Sequence, residues 1–191
     1  MNGPVIEIEA RQLRARLALG EAAPVEAICP SGSGWGWTRK RAGVPISGEV
    51  ETNERRWEVA GFGVDDESAG YQKRRTSWLW SAGVGLAVGG QSVAWNLVQG
   101  INDPPTQSER AVWVGAEPKE PDPVAFRGLA AIRFAGGGEL QFAPGSERAR
   151  DDNFLLFRSS YRHLFGDFTG AVDGIELSEG FGVMEQHDAL W

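Results

Sequence analysis

The chain has 191 residues and a formal net charge of −7, and it combines 26 glycines and 10 prolines with eight tryptophans and nine phenylalanines. This length predicts one domain with a substantial hydrophobic core, and the aromatic content excludes collagen-like and disordered chains. Because Lys and Arg contacts to phosphate supply most nucleic-acid affinity, an acidic chain with only short basic clusters predicts no nucleic-acid partner.

Apolar and polar residues alternate with a period of two from the start of the chain, which is typical of half-buried strands. Within residues 1–33 we expect strands near residues 5–10, 13–19 and 25–29, as an N-terminal extension of one domain that spans residues 1–191. The Ala, Arg and Leu content of residues 11–19 also suits a short helix. The polar positions in that segment recur at every second residue, which favours a strand.

The same alternation continues to the end of the chain and gives about ten to twelve short strands separated by glycine-rich and proline-rich turns. Asp65–Gly70 is predicted to be an acidic turn, and Gly89-Gly90 and Gly136–Gly138 are predicted hairpin turns. No segment of ten residues has a convincing helical pattern. The sequence therefore predicts an all-β fold in which antiparallel strands form a barrel or a sandwich.

The single cysteine, Cys29, excludes an internal disulfide and is interpreted as a small buried hydrophobic residue. The first residues have neither the basic segment nor the apolar segment of a signal peptide, and no apolar run is long enough to span a bilayer. We therefore expect a cytoplasmic location and no membrane span.

Several short motifs, taken in their order along the chain, resemble the lipocalin-like family catalogued as domain of unknown function 2804. The motifs are Trp37–Lys40, Asp66 followed by Gly70, Arg75–Trp80, Asn96-Leu97, Phe165–Gly170 and Gly182–Trp191. The resemblance covers residues 24–191. The family is distantly similar to carotenoid hydratases, tocopherol cyclases and lipocalin-like Diels–Alderases. Because members of the family are longer, the chain is expected to correspond to their second half.

The resemblance implies an antiparallel, lipocalin-like (calycin) β-barrel whose cavity holds a small apolar or amphipathic molecule. It also implies a lyase or isomerase activity of the cyclase or hydratase type. Two alternatives stay open from the sequence: a non-catalytic carrier, and a structural domain that forms a homodimer. Converging carboxyl, imidazole or amide groups in the cavity would favour the enzyme.

The candidate ligand-binding residues are Trp37, Trp78, Trp80 and Asn96. Trp78 and Trp80 lie two residues apart in a predicted strand, so both face the same side, where they either line a cavity or fill the core. Asn96 faces away from Trp95, and an inward-facing amide needs a partner from a neighbouring strand or from a ligand.

The candidate catalytic residues are Asp66, Glu185 and His187. Either Asp66 lies in a solvated turn, or it faces an apolar barrel mouth where a raised pKa would allow it to protonate an alkene or a carbonyl. Glu185 and His187 share one strand face, so the carboxylate could orient the imidazole or both could make structural hydrogen bonds. We expect no metal and no cofactor, because the third ligand that a metal needs is missing from this pattern.

Overall fold

The computed structural model describes residues 4–190, which form fourteen β-strands and no helix. The strands are β1 (Val5–Ala10), β2 (Leu13–Leu19), β3 (Val25–Ser31), β4 (Gly34–Thr52), β5 (Arg56–Gly70), β6 (Arg75–Ala87), β7 (Ser92–Gln99), β8 (Ala111–Val114), β9 (Glu117–Lys119), β10 (Val124–Arg127), β11 (Ala131–Phe134), β12 (Glu139–Phe154), β13 (Phe157–Val172) and β14 (Ile175–Leu190). The predicted all-β fold is confirmed. Residues 13–19 form a strand, and several strands are much longer than the alternation suggested.

Two antiparallel sheets make up the fold. The smaller has five strands in the order β1-β2-β4-β3, with β5 also paired to β4, and the larger has nine in the order β10-β11-β12-β13-β14-β6-β7-β8-β9. The larger sheet curls until β10 reaches β7, where the backbone N–H of Phe126 donates to the side chain of Gln99 at 2.8 Å. This curled antiparallel sheet confirms the predicted lipocalin-like barrel architecture.

The hydrophobic core fills the inside of the curled sheet. Trp95 is fully buried there, its ring meets Phe168 edge-on at 5.0 Å between centroids, and its indole N–H donates to Ser81 at 3.1 Å. Leu97, Ile132, Leu140 and Met184 are buried in the same cluster. One face of β6, β7 and β14 therefore packs in the core. Because successive side chains of a strand point to opposite faces, the other face of these strands points towards the smaller sheet.

The two sheets meet through small side chains. Ala42 on β4 packs against Ala94 and Ala111 in a cluster that also contains Trp113, whose indole N–H donates to the carbonyl of Ala23 at 2.8 Å. Because alanines let the backbones approach closely, β4 lies against β6 and β7, and β5 lies against β6. The space between the sheets that these alanines do not fill forms the candidate site.

The strands predicted as an N-terminal extension share a sheet with the strands that follow them, because β2 and β3 both pair with β4. The assignment of residues 1–191 to one domain stays a prediction. Nothing in the described part of the chain forms a helix with the length and apolar character that a bilayer crossing requires.

The core cluster predicts a large difference between two tryptophan truncations. We expect Trp95→Ala to lower the free energy of unfolding by about 3–5 kcal/mol, because it empties a buried aromatic site and leaves Ser81 without its partner. The matched control is Trp57→Ala, since 43% of Trp57 is exposed; it should cost less than about 1 kcal/mol. Urea denaturation of the two variants measures the difference, and equal losses would contradict the assignment of the core.

Candidate functional site

A cavity of about 400 Å³ lies between the two sheets. Its walls come from β4 and β5 of the smaller sheet, from β6 and β14 of the larger sheet, and from the segment between β7 and β8. Asp66 and Asn102 are among the residues that line it. This volume is within the usual range for a small-molecule site.

Trp78 and Trp80 form the aromatic wall of the cavity. Both lie on the face of β6 that turns away from the core, and both are half-buried. The indole N–H of Trp78 donates to Glu185 at 2.8 Å, and that of Trp80 donates to the amide oxygen of Asn96 at 2.8 Å. Hydrogen bonds therefore hold both rings in place on the cavity wall, where the His187 ring lies near Trp78 and the Lys40 ammonium lies over Trp80.

Glu185 is the carboxyl group of the wall that β14 contributes. It accepts hydrogen bonds from Trp78 and, at 2.9 Å, from Nδ1 of His163 on β13. The hydroxyl of Tyr161 contacts the same imidazole nitrogen and also hydrogen-bonds Glu185. Burial, and then the charge of Glu185, raise the pKa of Tyr161 above its usual value, which keeps the phenol protonated. Sequence reasoning missed His163 and Tyr161, because their contact with Glu185 depends on the pairing of β13 with β14.

His187 lies in the same cavity, two residues beyond Glu185. Its Nε2 is 2.9 Å from the hydroxyl of Ser159, and its ring centroid is 4.4 Å from that of Trp78. Burial lowers its pKa from the ordinary value, and the nearby carboxylates of Glu185 and Asp188 only partly offset this. The imidazole is therefore neutral at neutral pH and can accept a proton.

The opposite wall carries Lys40 on β4 and Asp66 on β5, which are direct cross-strand neighbours. The Lys40 ammonium lies 2.6 Å from Asp66 and 3.7 Å from Glu109, and 5.8 Å from the centre of the Trp80 ring. The interpretation of residues 65–70 as a turn is wrong, because β5 continues through them. Asp66 lines the cavity as the partner of an ammonium group rather than as an isolated acid in apolar surroundings.

Glu109 is a further residue that the sequence did not reveal. Its side chain is 4% exposed, and it accepts a hydrogen bond from the Asn102 amide at 3.0 Å. Burial raises the pKa of Glu109, and this effect outweighs the opposing effects of Lys40 and Asn102. No periodic pattern marks this residue, because it lies in the irregular segment before β8.

Two of the predicted ligand-binding residues, Trp37 and Asn96, are not among the described residues that line the cavity. Trp37 lies on the face of β4 opposite Lys40, outside the cavity, and its indole N–H points to Glu26 at 3.4 Å. Asn96 is fully buried: its oxygen accepts from Trp80, and its NH₂ donates to the backbone carbonyl of Glu109 at 2.8 Å. Its amide therefore bonds to neighbouring protein groups and positions Trp80.

Among residues 4–190, no three His, Cys, Asp or Glu side chains are arranged to hold a metal ion. Cys29 is buried, and burial is the largest cause that raises the pKa of its thiol. A protonated, buried thiol is a poor nucleophile.

Comparison with known proteins gives a family and a fold. Residues 7–191 match the family model described as "Domain of unknown function (DUF2804)", which confirms the resemblance seen in the motifs. No curated protein matches the sequence.

Two crystal structures share the fold. An AttH-like protein from Nitrosomonas europaea has a TM-score of 0.60 and 16% identity, over 95% of this chain and 63% of that one. Kievitone hydratase from Nectria haematococca has a TM-score of 0.50 and 8% identity, over 98% of this chain and 64% of that one. The chain thus spans less than two thirds of either neighbour, and identities this low establish only the fold.

The burial of Glu109 predicts a pH dependence of stability. Its pKa is raised from 4.5 in the folded chain, so the folded state holds this proton more tightly than the unfolded state does. The free energy of unfolding therefore decreases as the pH rises from the ordinary pKa of a glutamate to the raised pKa of Glu109 in the folded chain. We expect Glu109→Gln to flatten this decline in urea denaturation series measured between pH 5 and pH 8. Glu117→Gln, at an exposed position, is the control, and an unchanged slope in Glu109→Gln would contradict the assignment.

Proposed function

The chain belongs to the DUF2804 family, and we propose that its cavity binds a small, flat, apolar or amphipathic molecule and transfers a proton on it, as a lyase or isomerase of the cyclase or hydratase type does. One observation carries this proposal: titratable groups from both sheets converge on a single cavity that also has a tryptophan wall. A cavity meant only to carry an apolar ligand needs few such groups.

The aromatic wall supports a flat ligand. The indole faces of Trp78 and Trp80 lie along one side of the cavity, and offset stacking against them favours rings or conjugated systems over globular molecules. Because hydrogen bonds already hold both indole rings, little side-chain entropy is lost when a ligand stacks on them. The wall is thus preorganised for a planar molecule.

Glu185 and His187 support proton transfer in this proposal. Glu185 faces the cavity with its carboxylate oriented by two N–H donors, from Trp78 and His163. His187 adds a neutral imidazole on the same wall. In this proposal the imidazole accepts a proton from the ligand, and the Glu185 carboxylate beside it stabilises the resulting positive charge. Asp66 acts through Lys40 on the other wall. The name of kievitone hydratase, a structural neighbour, agrees with this type of chemistry.

Ligand binding is tested with N-phenyl-1-naphthylamine, a neutral dye that fluoresces more strongly in apolar sites. We expect saturable binding with a blue shift, and about tenfold weaker binding by Trp80→Ala, which removes half of the stacking wall. Trp57→Ala, outside the cavity, should bind the dye as the parent protein does, and circular dichroism should show both variants folded. Equal affinities of Trp80→Ala and the parent protein would place the dye elsewhere and contradict the proposal.

Proton transfer is tested on the molecule that co-purifies with the protein, identified by native mass spectrometry. Incubation in D₂O should add deuterium to it or convert it, and Glu185→Gln should reduce that rate by at least about a hundredfold while the complex still forms. Glu147→Gln, which changes a carboxylate outside the cavity, is the matched control. Binding without exchange or conversion would identify the protein as a carrier.

A further inference from the structure

We propose that Lys40 recognises a neutral oxygen function on the ligand, such as a carbonyl, hydroxyl or ether oxygen, with Glu109 beside it. This inference rests on the proposed function, because it names the class of molecule that the same cavity accepts. Nothing in the family description or in the structural neighbours assigns a role to either residue.

The first argument is the number of hydrogen bonds that the ammonium group can make. Lys40 has three N–H donors, and its side chain is only 6% exposed. Asp66 lies 2.6 Å away, but the Glu109 oxygen at 3.7 Å is beyond hydrogen-bond distance, and no further acceptor in residues 4–190 takes a hydrogen bond from the ammonium. The ammonium therefore has donors left over from its contact with Asp66, and these can serve an acceptor bound in the cavity.

The second argument is position. Lys40 lines the cavity and lies 5.8 Å from the centre of the Trp80 ring. A planar molecule stacked along the tryptophan wall therefore brings an oxygen on its edge close to the ammonium. Asn96 accepts the hydrogen bond of the Trp80 indole N–H, and its NH₂ group donates to the backbone carbonyl of Glu109. The buried amide of Asn96 thus connects Trp80 with the segment that carries Glu109 beside Lys40.

The third argument is charge. Among the described residues that line the cavity, Lys40 is the only Lys or Arg, and the carboxyl groups of Asp66, Glu109 and Glu185 line it too. A carboxylate or phosphate ligand would add another negative charge to this group. A neutral oxygen avoids that repulsion and can still accept a charge-assisted hydrogen bond from the ammonium.

The test compares indane with 1-indanone, two bicyclic probes of nearly the same shape that differ by one carbonyl oxygen. By isothermal titration calorimetry, we expect the parent protein to bind 1-indanone about tenfold or more tightly than indane, because a hydrogen bond to a charged donor is gained. Lys40→Met should bind the two probes with equal affinity. Lys119→Met, which changes a lysine 76% exposed and outside the cavity, should keep the preference.

Removing Lys40 alone leaves the Asp66 carboxylate without its partner, which could itself disturb the cavity. The double variant Lys40→Met/Asp66→Asn removes both charges of the pair and provides a second measurement. It should likewise show no preference for 1-indanone. A third probe, indane-2-carboxylate, should bind the parent protein more weakly than 1-indanone does; tighter binding would overturn the selectivity for neutral oxygen.

The outcomes separate this inference from the proposed function. If the parent protein binds indane and 1-indanone equally, or if both Lys40 variants keep the preference, Lys40 does not recognise an oxygen, although the cavity still binds flat molecules. If neither probe binds and the naphthylamine dye does not bind either, the cavity is not a ligand site, and both proposals are wrong.

Discussion

A row of three glycines sets the register on which the site depends. Gly166, Gly182 and Gly83 are direct cross-strand neighbours on β13, β14 and β6. A Cβ on Gly83 would lie 2.3 Å from the Trp95 ring, and one on Gly182 would lie 2.3 Å from the carbonyl of Ala82. Since the Trp95 ring and the neighbouring strand backbone leave no room for a side chain at these positions, they favour the observed register. A slip of one residue would turn the cavity side chains of β6 and β14 towards the core.

This register also explains how the same strands have an apolar core on one face and a polar cavity on the other. On the cavity face, His163, Glu185 and Trp80 form one cross-strand row, and Tyr161, His187 and Trp78 form the next. Each polar group in these rows finds a partner in a neighbouring strand, so burial does not leave it unsatisfied. Buried ionisable groups rarely add stability, because desolvation offsets their attraction. Their concentration here, away from the Trp95 core, is what a binding or catalytic site requires and a purely structural domain does not.

The period-two pattern and the motifs were enough to predict the all-β fold, the family and the shared faces of Trp78 with Trp80 and of Glu185 with His187. The contacts that the sequence did not predict depend on which strands pair with each other. Lys40 meets Asp66 only because β4 and β5 form a long hairpin, and His163 meets Glu185 only because β13 pairs with β14. Trp37 differs from Lys40 by three positions, so alternation itself puts the two on opposite faces. The homodimer and the cytoplasmic location stay predictions, since neither depends on a contact within this chain.

The two walls of the cavity belong to different sheets, and this has a consequence for ligand binding. Lys40 and Asp66 come from the five-stranded sheet, whereas Trp78, Trp80 and Glu185 come from the nine-stranded one. Away from the cavity, a cluster of Ala42, Ala94, Ala111 and Trp113 joins the sheets. A ligand that stacks on Trp80 and hydrogen-bonds to Lys40 adds a bridge between the sheets. If a ligand makes both contacts, its binding stabilises the packing of the two sheets. Contacts that hold the sheets in place before binding, in turn, preorganise the cavity for the ligand.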